Sequence, residues 1–175
     1  MRWRPISLHF KNDVQPDSPF YEVTTFTLGL LRVMERMRAE GAEDRIGELY
    51  TAVGTRIHQE GRRQFDPIEA VTEIGLDPAL VDAAADDSWD DAIRAHMAEG
   101  LELTGDDVGT PLLGFENRNG RRVGFFGPVI SRRLPLDEGL VLWDGFLAVA
   151  ATDAFWELKR TRSEGPDPTP IDATS

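Results

Sequence analysis

The chain carries no cysteine and only three histidines among 175 residues. Thiol catalysis, disulfides and thiolate metal sites are therefore excluded for this polypeptide itself. His9 and His96 have no second ligand at metal-binding spacing, so no metal site is expected. His58 follows Arg56 and precedes Glu60. That position suits a pocket or proton-relay residue, and equally a helix-end imidazole near the negative pole of the helix. The pairs Asp86-Asp87, Asp90-Asp91 and Asp106-Asp107 lack the alternating oxygen spacing of a calcium loop and read as caps and solvated turns. Arg121-Arg122 and Arg132-Arg133 would attract an anionic cosubstrate or, as edge-strand charge, block sheet pairing. The sharpest local feature is Val108-Gly109-Thr110-Pro111. Thr110-Pro111 reads either as a loop proline before a strand or as a cis bond fixing a tight corner beside a site.

Composition narrows the partners. A net charge of −12 argues against nucleic acid and anionic membrane surfaces, which need clustered positive charge. A hydrophobic content of 41% with four tryptophans is enough for one domain's core. No apolar run approaches the ~20 residues needed to span a bilayer. Met1-Arg2-Trp3-Arg4-Pro5 leads into no apolar core of a signal peptide. The expected location is the cytoplasm, with neither nucleic acid nor membrane as partner.

The elements that must position these residues follow from periodicity and punctuation. Ile6, Leu8 and Phe10 alternate with Ser7 and His9, which predicts a short strand. Ser18-Pro19 predicts the start of a helix carrying Val23, Phe26, Leu30, Leu31, Met34 and Met37, stopped by Gly41. A second helix carries Ile46, Leu49, Val53 and Ile57 and ends at Gly61. Asp66-Pro67 opens a third that closes at Gly75, and Asp77-Pro78 a fourth. Ser88-Trp89-Asp90-Asp91 caps a fifth, carrying Ile93 and Met97 to about Leu103. Leu112–Phe115 and Val123–Phe126 then flank Asn119-Gly120, a type I′ hairpin signal. Pro135 precedes a last helix with Leu140, Trp143, Leu147 and Ala150 on one face. Trp89, Trp143 and Trp156 read as core residues on helical faces. The Pro-, Asp-, Thr- and Ser-rich segment 163–175 reads as a disordered tail.

Val108-Gly109-Thr110-Pro111, the hairpin, and Phe125-Phe126-Gly127-Pro128-Val129-Ile130-Ser131 together resemble the C-terminal half of DsbA-family thioredoxin-fold oxidoreductases. Leu49-Tyr50-Thr51-Ala52-Val53-Gly54-Thr55-Arg56-Ile57-His58-Gln59-Glu60-Gly61 resembles the helical insertion of the mycothiol-dependent nitroreductase branch. So do Leu142-Trp143-Asp144 and the run from Phe155 to Arg162. The resemblance implies an α/β, thioredoxin-like fold with an inserted all-helical domain. Residues 1–17 and 105–162 would form the thioredoxin-like part and 18–104 the insertion. It also implies a substrate cleft beside a cis-proline at Thr110-Pro111, with Asn12, Tyr21 and His58 on the substrate side. The resemblance further implies small-molecule or disulfide substrates as partners, and no cofactor beyond a low-molecular-weight thiol, mycothiol, as cosubstrate.

The departure is at the front. In the resembling family a strand and a Cys-x-x-Cys turn precede the counterpart of Ile6–Phe10, and neither is in this chain. The expectation is an N-terminally truncated thiol-disulfide oxidoreductase, an enzyme by family but inactive as given, with no catalytic residue of its own. The alternative is a redox-silent thioredoxin-like binding module. A thiol-free isomerase of the same fold, using bound glutathione and a serine, stands beside them.

Overall fold

The computed structural model describes residues 1–167 and 169. It is a mixed α/β chain in which the described sheet is one antiparallel pair of strands. The chain divides into two compact units, Met1–Glu99 and Gly100–Ser175.

The first unit contains α1 (Leu8–Lys11), α2 (Tyr21–Ala39), α3 (Ile46–Gly54), α4 (Pro67–Glu73) and most of α5 (Asp90–Thr104). Short 3₁₀ helices occupy Glu43–Arg45, Pro78–Ala85 and Asp87–Trp89. Their boundaries follow from local chemistry. Asp66 Oδ1 accepts the Ile68 N–H at 3.0 Å, with Pro67 at the first helical position. Gly41 takes φ +83° after α2, where its N–H donates to the Arg38 carbonyl and the Ala42 N–H donates to that of Met37. Gly75 does the same after α4, with Leu76 donating to Val71. Both are Schellman closures, in which the left-handed glycine lets two orphan carbonyls find donors.

Two corrections apply to this unit. Helix α2 begins at Tyr21, not at Pro19. Ser18 instead forms a separate turn, with its hydroxyl accepting the Phe20 N–H and its carbonyl the Tyr21 N–H. Ile6–Phe10 is not a strand, since Leu8–Lys11 is a short helix capped by the Ser7 hydroxyl on the Phe10 N–H. Ile6 before the cap and Phe10 on the turn together form the apolar face of the segment. That face packs against Leu28, Ile93 and Met97. The larger core joins Leu30, Val33, Met34 and Met37 of α2 to Ile46, Leu49, Ala52 and Val53 of α3, Ala70 and Val71 of α4, and Leu80.

The second unit is built on β1 (Leu112–Glu116) and β2 (Arg122–Phe126), with Gly114 opposite Gly124. The type I′ expectation is corrected. Asn119-Gly120 are the last two residues of a three-residue loop, and only Gly120 has positive φ, at +72°. The Asn117 N–H donates to the Arg121 carbonyl, and Asn117 Oδ1 accepts from both Asn119 and Arg121 N–H. This is a type I turn closed by a glycine bulge. The bond into β1, Thr110–Pro111, is cis, and so is Gly127–Pro128 beyond β2. Helix α6 (Leu136–Ala150) meets the hairpin through Phe146, whose ring stands edge-on to Phe115 and Phe125 at 5.8 and 6.1 Å.

The expected inward stripe on α6 is corrected too. Ala150 is buried, but Leu140, Trp143 and Leu147 are exposed, because the contact runs through Phe146. Trp156 lies beyond the helix and is 78% exposed, so it is not core. Of the expected disordered tail, residues 168 and 170–175 lie outside the described residues. Within it, the Asp167 N–H donates to the Ser131 carbonyl at 2.6 Å.

Two predictions follow from the packing. A Cβ added at Gly124 would lie 2.5 Å from Leu103 Cβ, an atom with no freedom to swing away. Gly124→Ala should destabilise the second unit by about 1–3 kcal/mol, read as faster amide exchange across Arg122–Phe126. Gly114→Ala should cost less, because its neighbour is the movable Leu103 Cδ1 at 3.2 Å.

The second concerns acid. The Arg62 hydrogen bond holds the Glu69 carboxyl below its ordinary value. Since the folded value lies below the unfolded one, this stabilisation is complete above the ordinary carboxylate pKa and fades as pH falls through the folded one. Glu69→Gln should lower the melting temperature slightly at neutral pH, as exposed ion pairs do. The gap should narrow once pH falls below the ordinary carboxylate value of about 4.3 and close as it passes through the lowered folded one; a gap that persists in stronger acid contradicts this account.

Candidate functional site

Ser7 is buried, and its hydroxyl starts the single turn of α1. The turn ends at Asn12, whose N–H donates to the Leu8 carbonyl at 3.2 Å and whose side chain is exposed. Asp13 then takes φ +45°, a value a short polar side chain tolerates, and the chain reverses toward α2. Tyr21 is the first residue of α2 and is half-buried. Asn12 and Tyr21 therefore stand at facing ends of two helices joined by one loop.

Beside Tyr21 lies His9, a residue with no functional role in the sequence reading. The His9 ring sits 5.6 Å from the Tyr21 ring at an interplanar angle of 59°. Its Nδ1 is 3.2 Å from Thr24 Oγ1, and Thr24 is buried. The sequence signal was weak, because Thr24 lies fifteen residues away and a strand reading puts His9 on the wrong face.

His58 stands apart. It is exposed on a π-helical turn, Thr55–Gln59, that continues α3. Among the described residues no hydrogen bond, ion pair or ring contact joins it to Asn12 or Tyr21. Its neighbour Arg56 is buried, donating to the Ala52 carbonyl at 3.0 Å and to Glu73 at 2.7 Å. Turns of this kind recur at functional sites, but here the wide turn also seats Arg56 beside the Phe65 ring.

In the second unit Thr110 and Pro111 are exposed at one end of the hairpin. The Pro111 carbonyl accepts the Gly127 N–H at 2.8 Å, which ties the corner before β1 to the one after β2. The Phe126 ring lies 3.5 Å from the place a Cβ on Gly109 would occupy, so a methyl there would rest in ordinary contact with the ring. Gly127, buried with φ +99°, belongs to the same corner, and the Gly127-Pro128 dipeptide was its sequence signal.

The remaining charged groups are structural. Asp86 Oδ1 accepts the Ser88 N–H, and its hydrogen bonds to Ser88 hold the carboxyl below its usual range. Asp90 receives both Nε and Nη2 of Arg32 at 2.7 and 2.9 Å, which raises the Arg32 pKa. His96 Nδ1 lies 3.0 Å from the buried carboxylate of Glu35. Among the described residues no group of three or more His, Asp or Glu side chains is placed to hold a metal. No described helix is long and apolar enough to cross a membrane.

The first unit thus offers hydrogen-bonding groups and an aromatic face, the second unit an exposed proline corner, and neither a cysteine sulfur. Residues 1–160 match the family model described as Rv2466c-like, mycothiol-dependent nitroreductase Rv2466c. With that match covering most of its 175 residues, the chain belongs to the Rv2466c-like family of mycothiol-dependent nitroreductases and is a thiol-dependent oxidoreductase by family.

Proposed function

We propose that this chain is a DsbA-type, thioredoxin-like protein of substrate-binding function, in which residues 18–104 are the helical insertion and 1–17 and 105–162 the thioredoxin-like part. The observation that carries the reading is the family match over residues 1–160 in a chain without cysteine. Asn12 and Tyr21 supply hydrogen bonds and an aromatic wall on the helical unit, with His58 at its margin. Thr110 and Pro111 supply the docking corner on the hairpin. The working compartment is the reducing cytoplasm, where a free low-molecular-weight thiol persists.

The chemistry bounds what the chain can do. Reducing a nitro group to a nitroso group takes two electrons and two protons. Two thiols supply both as they become a disulfide, and water leaves. Attack requires a thiolate. Here the only thiols come from the cosubstrate, because none of the 175 residues is a cysteine. A lysine or arginine beside the cosubstrate sulfur would lower its pKa, but Asn12 and Tyr21 carry no charge to do so. The chain should therefore bind mycothiol and leave it unactivated.

Two measurements test this. Titration calorimetry of the purified chain with mycothiol should detect binding, and Tyr21→Phe or Asn12→Ala should each weaken it about three- to tenfold, the worth of one hydrogen bond. Mixing the chain with mycothiol and a nitroarene should give no turnover above the protein-free rate. Absence of binding would overturn the substrate-site reading. Turnover by a sequence-verified sample would overturn the claim of inactivity.

A further inference from the structure

His9 has a hydrogen-bonding state that its surroundings dictate. The Thr24 hydroxyl has one proton to give. Its Oγ1 lies 2.8 Å from the Phe20 carbonyl and 3.2 Å from that of Tyr21, two groups that can only accept. The shorter contact takes the proton, as is usual for a threonine on the first turns of a helix. Toward His9 the hydroxyl then has only lone pairs to offer. The bond at 3.2 Å exists only if His9 Nδ1 carries the hydrogen. A neutral imidazole protonated at Nδ1 has a bare lone pair at Nε2.

The ring is also fixed in place. Tyr21 holds one side at 5.6 Å, and Phe10 stands edge-on at 5.9 Å. Phe10 is itself held by the Arg94 guanidinium, 3.6 Å from its ring centroid. Nε2 has no protein partner among the described residues, and it is not one of the sealed polar atoms, so it reaches solvent. A pre-aimed acceptor beside Tyr21 is of use only to a ligand with a hydrogen to donate. A nitroarene has only acceptor oxygens. A polyol-bearing thiol has many hydroxyl and amide donors.

We propose that His9 is a binding residue for the thiol cosubstrate, held by Thr24 so that Nε2 accepts a hydroxyl or amide hydrogen from its polyol portion. The assignment rests on the substrate-site reading above, and it adds a residue and tells the thiol from the nitroarene.

The test has two arms on the full chain. Long-range proton–nitrogen correlation of the imidazoles, recorded on the neutral ring at alkaline pH, should show His9 protonated at Nδ1 without any ligand. A proton on Nε2 would overturn the proposal and leave the substrate-site reading standing. The second arm compares His9→Asn, whose short amide reaches Thr24 but not the Nε2 position, with His9→Gln, whose longer amide restores an acceptor there. His9→Asn should weaken mycothiol binding about five- to tenfold, and His9→Gln should recover most of it. Neither should change binding of a nitroarene probe. Equal mycothiol affinity for wild type and His9→Asn, or equal loss for both ligands, would remove His9 alone. A wild-type chain that binds no mycothiol would remove the substrate-site reading and His9 with it.

Discussion

Helix α2 leaves no exposed surface on Val33 or Met37. Burial of such side chains is worth roughly 1.5–3 kcal/mol each, and it sets the rotation of the whole helix. Thr24 lies on the opposite stripe of the helix, one turn before Leu28, which is buried against Ile93 and Met97. Gly29 faces the Pro78–Ala85 helix so closely that an added Cβ would meet the Ala84 carbonyl at 3.2 Å. Tyr21 is left half-buried at the N-terminal end. The hydroxyl that orients His9 and the ring that flanks it are thus placed by hydrophobic contacts one to three turns away. The polar site needs no separate scaffold.

The same helix carries charge into the interior. Glu35 is 3% exposed and faces His96 Nδ1 at 3.0 Å. Arg38 Nε lies 3.4 Å from its second oxygen, near enough for attraction but not aligned for a hydrogen bond. Arg38 spends its terminal nitrogens on Glu43 and on the Trp3 carbonyl. Arg4 in turn reaches Glu43 and Glu99. The set ties the first residues of the chain to α2 and α5. A buried pair of this kind contributes little net stability against an apolar replacement, yet losing one partner is costly. Its effect is positional. It holds Trp3 against Tyr50, ring centroids 4.9 Å apart, and so fixes where α1 begins.

The second unit rests on a different balance. Its hairpin and α6 share a cluster of Phe115, Phe125, Phe146 and Phe155 with little aliphatic support. Asn117 and Asn119 both donate to Asp153, which fastens the turn to the segment after α6. Beyond that cluster the helix is apolar on surfaces that meet solvent, with Leu136 at 79% and Val141 at 75% exposure. Its sequence has the composition of a buried helix and the exposure of a surface one. That mismatch explains why the periodicity pointed to the wrong stripe. When most positions are apolar, no pattern separates the inward face from the outward one.

How much was legible follows the range of each interaction. Asp66-Pro67, Gly41 and Gly75 mark helix ends through bonds spanning a few residues, and a reader of the sequence finds them. Asn119-Gly120 marks the reversal, but the turn type depends on Asn117, whose side chain binds two further amides. Ile6–Phe10 fails for a stronger reason. A strand is defined by its partner, and alternation cannot supply one; a capping serine two residues before His9 is enough to wind the segment instead. Asn12 and Tyr21 are reached only through family resemblance, whereas Thr110-Pro111 stands out locally as a proline corner and takes its role from the resemblance. His9 was passed over by both routes. The resemblance attached no role to it, and its chemistry exists only through Thr24, Phe10 and Tyr21, three contacts that no single stretch of sequence displays together. Residues whose function lies in a tautomer set by a neighbour are invisible until the neighbour is placed.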